Sequence, residues 1–210
     1  MMVKLYPRPF PARNVTGDIL QLNSNEAYEF TEPGFYIYQK LSGSYMLWIY
    51  DPSLNEWRYF FEIGHSFNLL PIPKELVGKI KIQCSTPGKL YIGKVPLEKL
   101  LLETRSIGLD LELLKYGTVL NTKGLPNDHF YFEEPGTYFA LLSLGTGRNY
   151  LEFYAENVET GESYKIFSED IWVGFIMLDP YLANQGWRYY FFNNNYSFYA
   201  VGYIVKLKYK

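Results

Sequence analysis

The sequence predicts an all-β fold: two tandem antiparallel β-sandwich domains that arose by internal duplication. Three observations predict it. Aromatic residues make up 19% of the chain, with 21 Tyr, 15 Phe and 4 Trp, and these are residue types that favour a pleated, half-buried surface. The stretch Phe30-Thr31-Glu32-Pro33-Gly34-Phe35-Tyr36 recurs as Phe132-Glu133-Glu134-Pro135-Gly136-Thr137-Tyr138. Pro-Gly between aromatic runs reads as strand, tight turn, strand: Pro33 and Pro135 preset φ, and Gly34 and Gly136 supply φ > 0. Further blocks then recur in the same order, which chance would not arrange.

Those blocks define the copies. Gly17-Asp18-Ile19-Leu20 is answered by Gly117-Thr118-Val119-Leu120, an offset of 117 − 17 = 100, and the Pro-Gly blocks differ by 132 − 30 = 102. Asp51-Pro52-Ser53-Leu54 followed by Trp57-Arg58-Tyr59 is answered by Asp179-Pro180-Tyr181-Leu182 followed by Trp187-Arg188-Tyr189, where the offset is 187 − 57 = 130; Ser66-Phe67 is answered by Ser197-Phe198. The jump locates an insertion at residues 149–172 of the second copy. Within it, Tyr150–Tyr154 and Ser163–Phe167 flank Glu159-Thr160-Gly161-Glu162, the pattern of an extra β-hairpin. The expected division is an arm at 1–13, a first sandwich at 14–97, a linker at 98–115 and a second sandwich at 116–210. The pairs expected to superpose are Phe30 with Phe132, Trp57 with Trp187 and Phe67 with Phe198.

In chain order, Pro7, Pro9 and Pro11 make the arm an extended, hydrogen-bond-poor segment, either inert or laced onto a neighbour. Inertness is the expectation for a terminus. Residues 96–116 hold the only helix-like content, with Leu97, Leu100, Leu101 and Leu102 crowding one side, and predict a short helix or turn followed by a strand. The chain closes on Tyr203-Ile204-Val205-Lys206-Leu207-Lys208-Tyr209, whose alternate lysines mark a solvated strand face or a protected sheet edge.

Composition excludes several classes of function. The 20 Lys and Arg against 22 Asp and Glu leave a net charge of −2, which offers no attraction to nucleic acid. One cysteine, Cys84, rules out an intramolecular disulfide and a thiol-rich metal site. His65 and His129 stand outside any zinc spacing and read as loop residues, so no metal or cofactor is expected. Neither a nucleophile elbow nor a phosphate loop occurs, and Gly145-Thr146-Gly147 reads as a hairpin turn. The longest apolar run, Ile171–Leu178, is too short for a membrane-spanning helix, and the N-terminus has no apolar core of a secretory signal. Glu133 and Glu134 would point to opposite strand faces, so they do not form a carboxylate pair. No catalytic residue is assigned, and the protein is expected not to be an enzyme.

The Trp-Arg-Tyr triplets carry the ligand question. Trp57, Arg58 and Tyr59, and Trp187, Arg188 and Tyr189, either present a flat ring with a flanking cation to a sugar, or fill the two cores with the arginines outward. Their repetition favours the core, because a duplicated fold repeats its core and need not repeat a ligand site.

Two strand-rich domains of this size, carrying Phe-x-Glu-Pro-Gly and Asp-Pro-x-Leu…Trp-Arg-Tyr in each copy, resemble the tandem single jelly-roll proteins that build vertices, turrets and minor capsid components of tailless archaeal viruses. The resemblance is architectural, covers residues 14–97 and 116–210, and carries no functional residue. It implies jelly-roll-like sandwiches in a non-enzymatic virion subunit whose partners are other copies of itself and other structural subunits, together with a host-surface glycan. The competing classes are a carbohydrate-binding or adhesion module and, third, an enzyme.

Overall fold

The computed structural model describes residues 3–6, 17–95, 109–121, 129–195 and 197–209. A short strand, β1 (Val3–Tyr6), precedes the first copy. That copy contributes β2 (Gly17–Leu22), β3 (Ala27–Glu29), β4 (Gly34–Lys40), β5 (Ser44–Asp51), β6 (Glu56–Glu62), β7 (Asn68–Ile72), β8 (Ile80–Thr86) and β9 (Gly88–Val95). The second contributes β10 (Leu109–Leu120), β11 (His129–Phe132), β12 (Gly136–Ser143), β13 (Leu151–Asn157), β14 (Ser163–Glu169), β15 (Ile171–Leu178), β16 (Trp187–Asn193) and β17 (Ala200–Tyr209). The sheets of the first copy run β2-β9-β4-β7 and β3-β8-β5-β6, and those of the second run β1-β15-β12-β17-β10 and β11-β16-β13-β14. Numbered within its copy, each set of eight makes sheets 1-8-3-6 and 2-7-4-5, the double Greek key of a jelly roll.

Alternation explains the packing. In β5 the inward Tyr45, Leu47 and Ile49 are buried while Met46, Trp48 and Tyr50 on the other face are half-buried. Phe30, Phe35, Leu47, Phe60 and Ile82 fill the first core, and Phe132, Tyr138, Phe153, Phe191 and Ile204 fill the second. Rings that size in the interior leave side chains, not a lumen, between the sheets.

The Pro-Gly blocks are the repeated unit down to single bonds. Phe30 meets Tyr36 edge-on at 4.8 Å, and Phe132 meets Tyr138 in the same way at 4.8 Å. The Tyr36 hydroxyl donates to the Glu32 carbonyl at 2.7 Å, and that of Tyr138 to the Glu134 carbonyl at 2.5 Å. Lys94 pairs with Glu32 at 2.6 Å and Lys206 with Glu134. Gly34 and Gly136 both adopt φ of 144°, positive as expected, and each opens a strand.

Sheet order corrects the other alignments. Trp57 lies on β6, the fifth strand of its copy, whereas Trp187 lies on β16, the seventh of its own, so the triplets are not equivalent. Phe67 precedes β7 and Phe198 precedes β17, so that pair fails too. The segment 149–172 is not an insertion: β13 and β14 occupy the places of β5 and β6. The hairpin itself is real, with Asn157 Oδ1 accepting the Glu159 and Thr160 N–H groups at its turn. The longer copy instead takes its additional residues in connections, as between β12 and β13 or between β16 and β17.

The false alignment has a physical origin. Asp51 Oδ1 accepts the Ser53 N–H at 2.9 Å and Asp179 Oδ1 the Tyr181 N–H at 2.8 Å. The same Asp-Pro turn chemistry thus precedes an aromatic strand at two different places in the fold.

The chain forms two compact units, Met1–Pro7 with Leu114–Lys206, and Arg8–Leu113 with Leu207–Lys210. The expected inert arm is corrected over residues 3–6: β1 pairs antiparallel with β15, from Val3 opposite Leu178 to Tyr6 opposite Phe175. The expected helix or turn at 96–108 lies outside the described residues, and the strand expected after it is β10. The terminal lysines lie on β17, inside its sheet between β12 and β10 and not at an edge; Ile204 on the same alternation is buried in the second core, and Lys206 and Lys208 pair with Glu134 and Glu112.

Candidate binding surface

The cross-strand registers allow the two copies to be compared place by place. With Phe30 matched to Phe132, Ala27, Tyr28 and Glu29 of β3 match His129, Phe130 and Tyr131 of β11. Their partners Gln83, Ile82 and Lys81 match Phe192, Phe191 and Tyr190. Inward places keep their character, Tyr28 and Ile82 becoming Phe130 and Phe191. Outward places do not: Ala27, Glu29, Lys81 and Gln83 become His129, Tyr131, Tyr190 and Phe192.

The second jelly roll therefore carries an aromatic face on β11, β16 and β13 that the fold does not require. His129, expected in a loop, begins β11 and stacks on Phe192 at 4.7 Å. Tyr131, Tyr190 and Tyr154 form a row across the three strands, with centroids 5.0 and 5.3 Å apart, the first pair tilted by 48° and the second stacked at 11°. The near-parallel rings of Tyr154 and Tyr190 cover each other's faces, and Arg188 covers Tyr131. A sugar cannot stack on a face its neighbour already covers. Around them Arg188 sits 4.5 Å over Tyr131 and pairs with Glu156 at 2.7 Å. Buried Glu152 accepts from the Tyr154 hydroxyl at 2.7 Å and from Lys165 at 3.2 Å. Burial, then the bond to Glu152, pushes the Tyr154 phenol up to about 12.

A cleft of about 400 Å³ opens beside this face, lined by the loop Glu133-Glu134-Pro135, by Val158, and by Asp179, Trp187, Arg188 and Tyr189. Glu133 and Glu134 lie past the end of β11, so strand alternation does not separate them and both border the cleft. Trp187 is half-buried with Tyr164 stacked at 5.9 Å. Tyr189 is buried, and its hydroxyl has no hydrogen-bond partner among the described residues.

The first-copy triplet stands elsewhere. Trp57 and Tyr59 are on the outer face of β6, with Lys81 lying 4.4 Å over the Trp57 ring, Tyr50 edge-on to it at 5.8 Å and Tyr59 edge-on to Trp48 at 5.7 Å. Arg58 pairs with Glu56 at 3.0 Å. Of the six triplet residues only Tyr189 is buried in a core. The sequence carries no signal for His129, Tyr154 and Phe192 as one face beyond alternation within separate strands, because their meeting depends on how β11, β16 and β13 pair. Pro33 and Pro135 precede strands that Gly34 and Gly136 open, after a bend at Glu32 and Glu134.

Other candidate chemistry is quiet. Cys84 is buried with its thiol donating to the Thr86 carbonyl at 3.2 Å, and burial pushes that thiol up. Thr146 of the Gly-Thr-Gly stretch donates through N–H and Oγ1 to Asp170, in a loop between strands of different sheets. Among the described residues no three His, Cys, Asp or Glu side chains cluster to hold a metal, and no helix is long and apolar enough to cross a membrane.

No family model and no curated protein matches the chain. Among solved structures it is similar to the regulatory domain of Toxoplasma gondii PKA with cAMP, with TM-score 0.29, 11% identity and coverage of 85% of this chain and 78% of that one. An oxalate decarboxylase structure gives TM-score 0.29 and 10% identity over 93% of this chain and 69% of that one. The PBSX exported protein XepA gives 0.28 and 8% over 99% and 86%. Scores this low transfer neither a topology nor a role.

Proposed function

We propose that the protein is a non-enzymatic subunit of a larger assembly, a virion surface or minor capsid component, and that the aromatic face of the second jelly roll packs against another copy of the chain. The observation that carries this reading is the replacement of Ala27, Glu29, Lys81 and Gln83 by His129, Tyr131, Tyr190 and Phe192 at matched outward places. A fold has no use for rings on a solvated face, whereas Tyr and Arg there are what buried interface patches are enriched in. Charges on the face are balanced in pairs, Arg188 with Glu156 and Lys165 with Glu152, and a net charge of −2 leaves little repulsion between copies. Tandem jelly rolls with side-chain-filled interiors support the capsid use of this architecture over the ligand-holding one.

Light scattering across a concentration series tests it. The native chain should show a mass above 24.6 kDa that rises with concentration, and His129→Ser/Tyr190→Ser should return it to the monomer value. A native chain that stays at the monomer mass throughout overturns the reading.

A further inference from the structure

The cleft is lined by residues of the second copy alone, so it does not depend on how the subunits assemble. The offset that matches Ile82 with Phe191, 191 − 82 = 109, places Tyr189 on Ile80, where β8 begins, whereas β16 begins two residues earlier, at Trp187. The indole at that strand start is half-buried against the second core and borders the cleft. At the next inward place Ile80 serves the first core, so the hydroxyl of Tyr189 is surplus to packing. Tyr189 is 3% exposed and its oxygen lacks a partner among the described residues. A native chain retains such a group where something else satisfies it.

The other lining groups state what that is. Arg188 is engaged by Glu156 and Glu134 by Lys206. Asp179 spends Oδ1 on the Tyr181 N–H and lies close enough to Tyr189 to help raise its phenol, after burial itself. Glu133 and the remaining oxygen of Asp179 make the cleft richer in acceptors than in uncommitted donors, beside an indole wall. A ligand that fits donates several hydrogen bonds, offers C–H groups to an aromatic face and bears no negative charge. About 400 Å³ lies within the usual range for a small-molecule site. We propose that this cleft binds a neutral hexopyranose, the terminal sugar of a glycan, with Trp187 as its stacking platform and Asp179 and Glu133 as hydroxyl acceptors.

The test titrates the full-length protein with methyl glucopyranoside, galactopyranoside and mannopyranoside up to about 50 mM, which would saturate a millimolar site, reading tryptophan fluorescence and ligand-observed NMR. Sialyllactose and trimethylammonium serve as the anionic and cationic comparisons. One neutral sugar should bind saturably. Trp187→Ala and, separately, Asp179→Asn, which keeps the turn-capping oxygen, should each weaken it tenfold or more with unchanged circular dichroism. Trp57→Ala should leave it unchanged. Absence of binding by all three sugars, preference for either charged comparison, or a loss with Trp57→Ala equal to that with Trp187→Ala overturns the proposal. Oligomer mass is measured in parallel, so that failure of the sugar site and failure of the assembly reading are separate results.

Discussion

Gly34 and Gly136 show how one residue serves two needs. Each holds φ of 144°, which side chains with a Cβ rarely adopt, and each lies under the lysine that crosses to the Glu two residues earlier. A Cβ would come within 3.0 Å of Lys94 Cε at the first and 3.2 Å of Lys206 Cε at the second. Gly136→Ala is therefore expected to destabilise by ~1 kcal/mol or more, seen as a lower urea midpoint with unchanged slope. An unchanged midpoint would show that the backbone relaxes freely. Tyr138→Phe, which deletes the bond to the Glu134 carbonyl, should cost ~1 kcal/mol in the same assay. Tyrosine also sets the alkaline limit: burial pushes Tyr45 up to about 12 and Tyr154 likewise to about 12, against about 10 in an unfolded chain. A raised folded value means the contribution is intact below pH ~10 and is lost as pH climbs toward ~12. Phenolate absorbance at 295 nm should accordingly lag behind model tyrosine and then rise with loss of near-ultraviolet dichroism; simple titration near pH 10 by every tyrosine would contradict the burial.

Among the elements, the two sheet edges at equivalent places are managed differently. β7 (NLLPI) carries Pro71, and proline spoils a strand as a template for further pairing. β15 (IWVGFIML) is longer, apolar and proline-free, an edge that would recruit other chains if left bare. Here β1 covers it. Deleting residues 1–6 should lower the concentration at which the chain aggregates and reduce its melting temperature, measured by static scattering during a thermal ramp. A truncated chain as soluble and stable as the full one would mean the strand adds nothing to that edge.

At the scale of the molecule, each copy closes its own core, and what distinguishes the copies lies on the surface. The core places stay apolar and inward-facing in both copies, identical at Phe30 and Phe132 and changed in size at Ile82 and Phe191. The outward places of β3 and β8 against β11 and β16 diverge, because solvent tolerates Glu29 and Tyr131 equally well and selection by a partner can act there freely. Exposed rings occur in both copies, Tyr59 and Phe67 in the first and Tyr131, Tyr164 and Tyr181 in the second; in the second, Tyr131 adjoins His129 and Tyr190, and Tyr164 adjoins Trp187, which is where the assembly and sugar tests act.

The sequence by itself determined the strand-rich class, the duplication and the Pro-Gly unit, because alternation and turn chemistry are local and write themselves into consecutive residues. It also read the hairpin around Glu159-Thr160-Gly161-Glu162 correctly. Only the tertiary structure decided which strands are equivalent, since Asp51-Pro52 and Asp179-Pro180 cap turns by the same local bond at different places in the fold, and local chemistry cannot tell them apart. Only it brought Trp187 and Tyr189 of β16 beside Glu133 and Asp179, residues of two connections, in a meeting that depends on long-range strand pairing. The repetition of Trp-Arg-Tyr favours a core role, which Tyr189 fills and Trp187 shares in part. Trp57 instead faces outward on β6, a difference that only strand pairing decides.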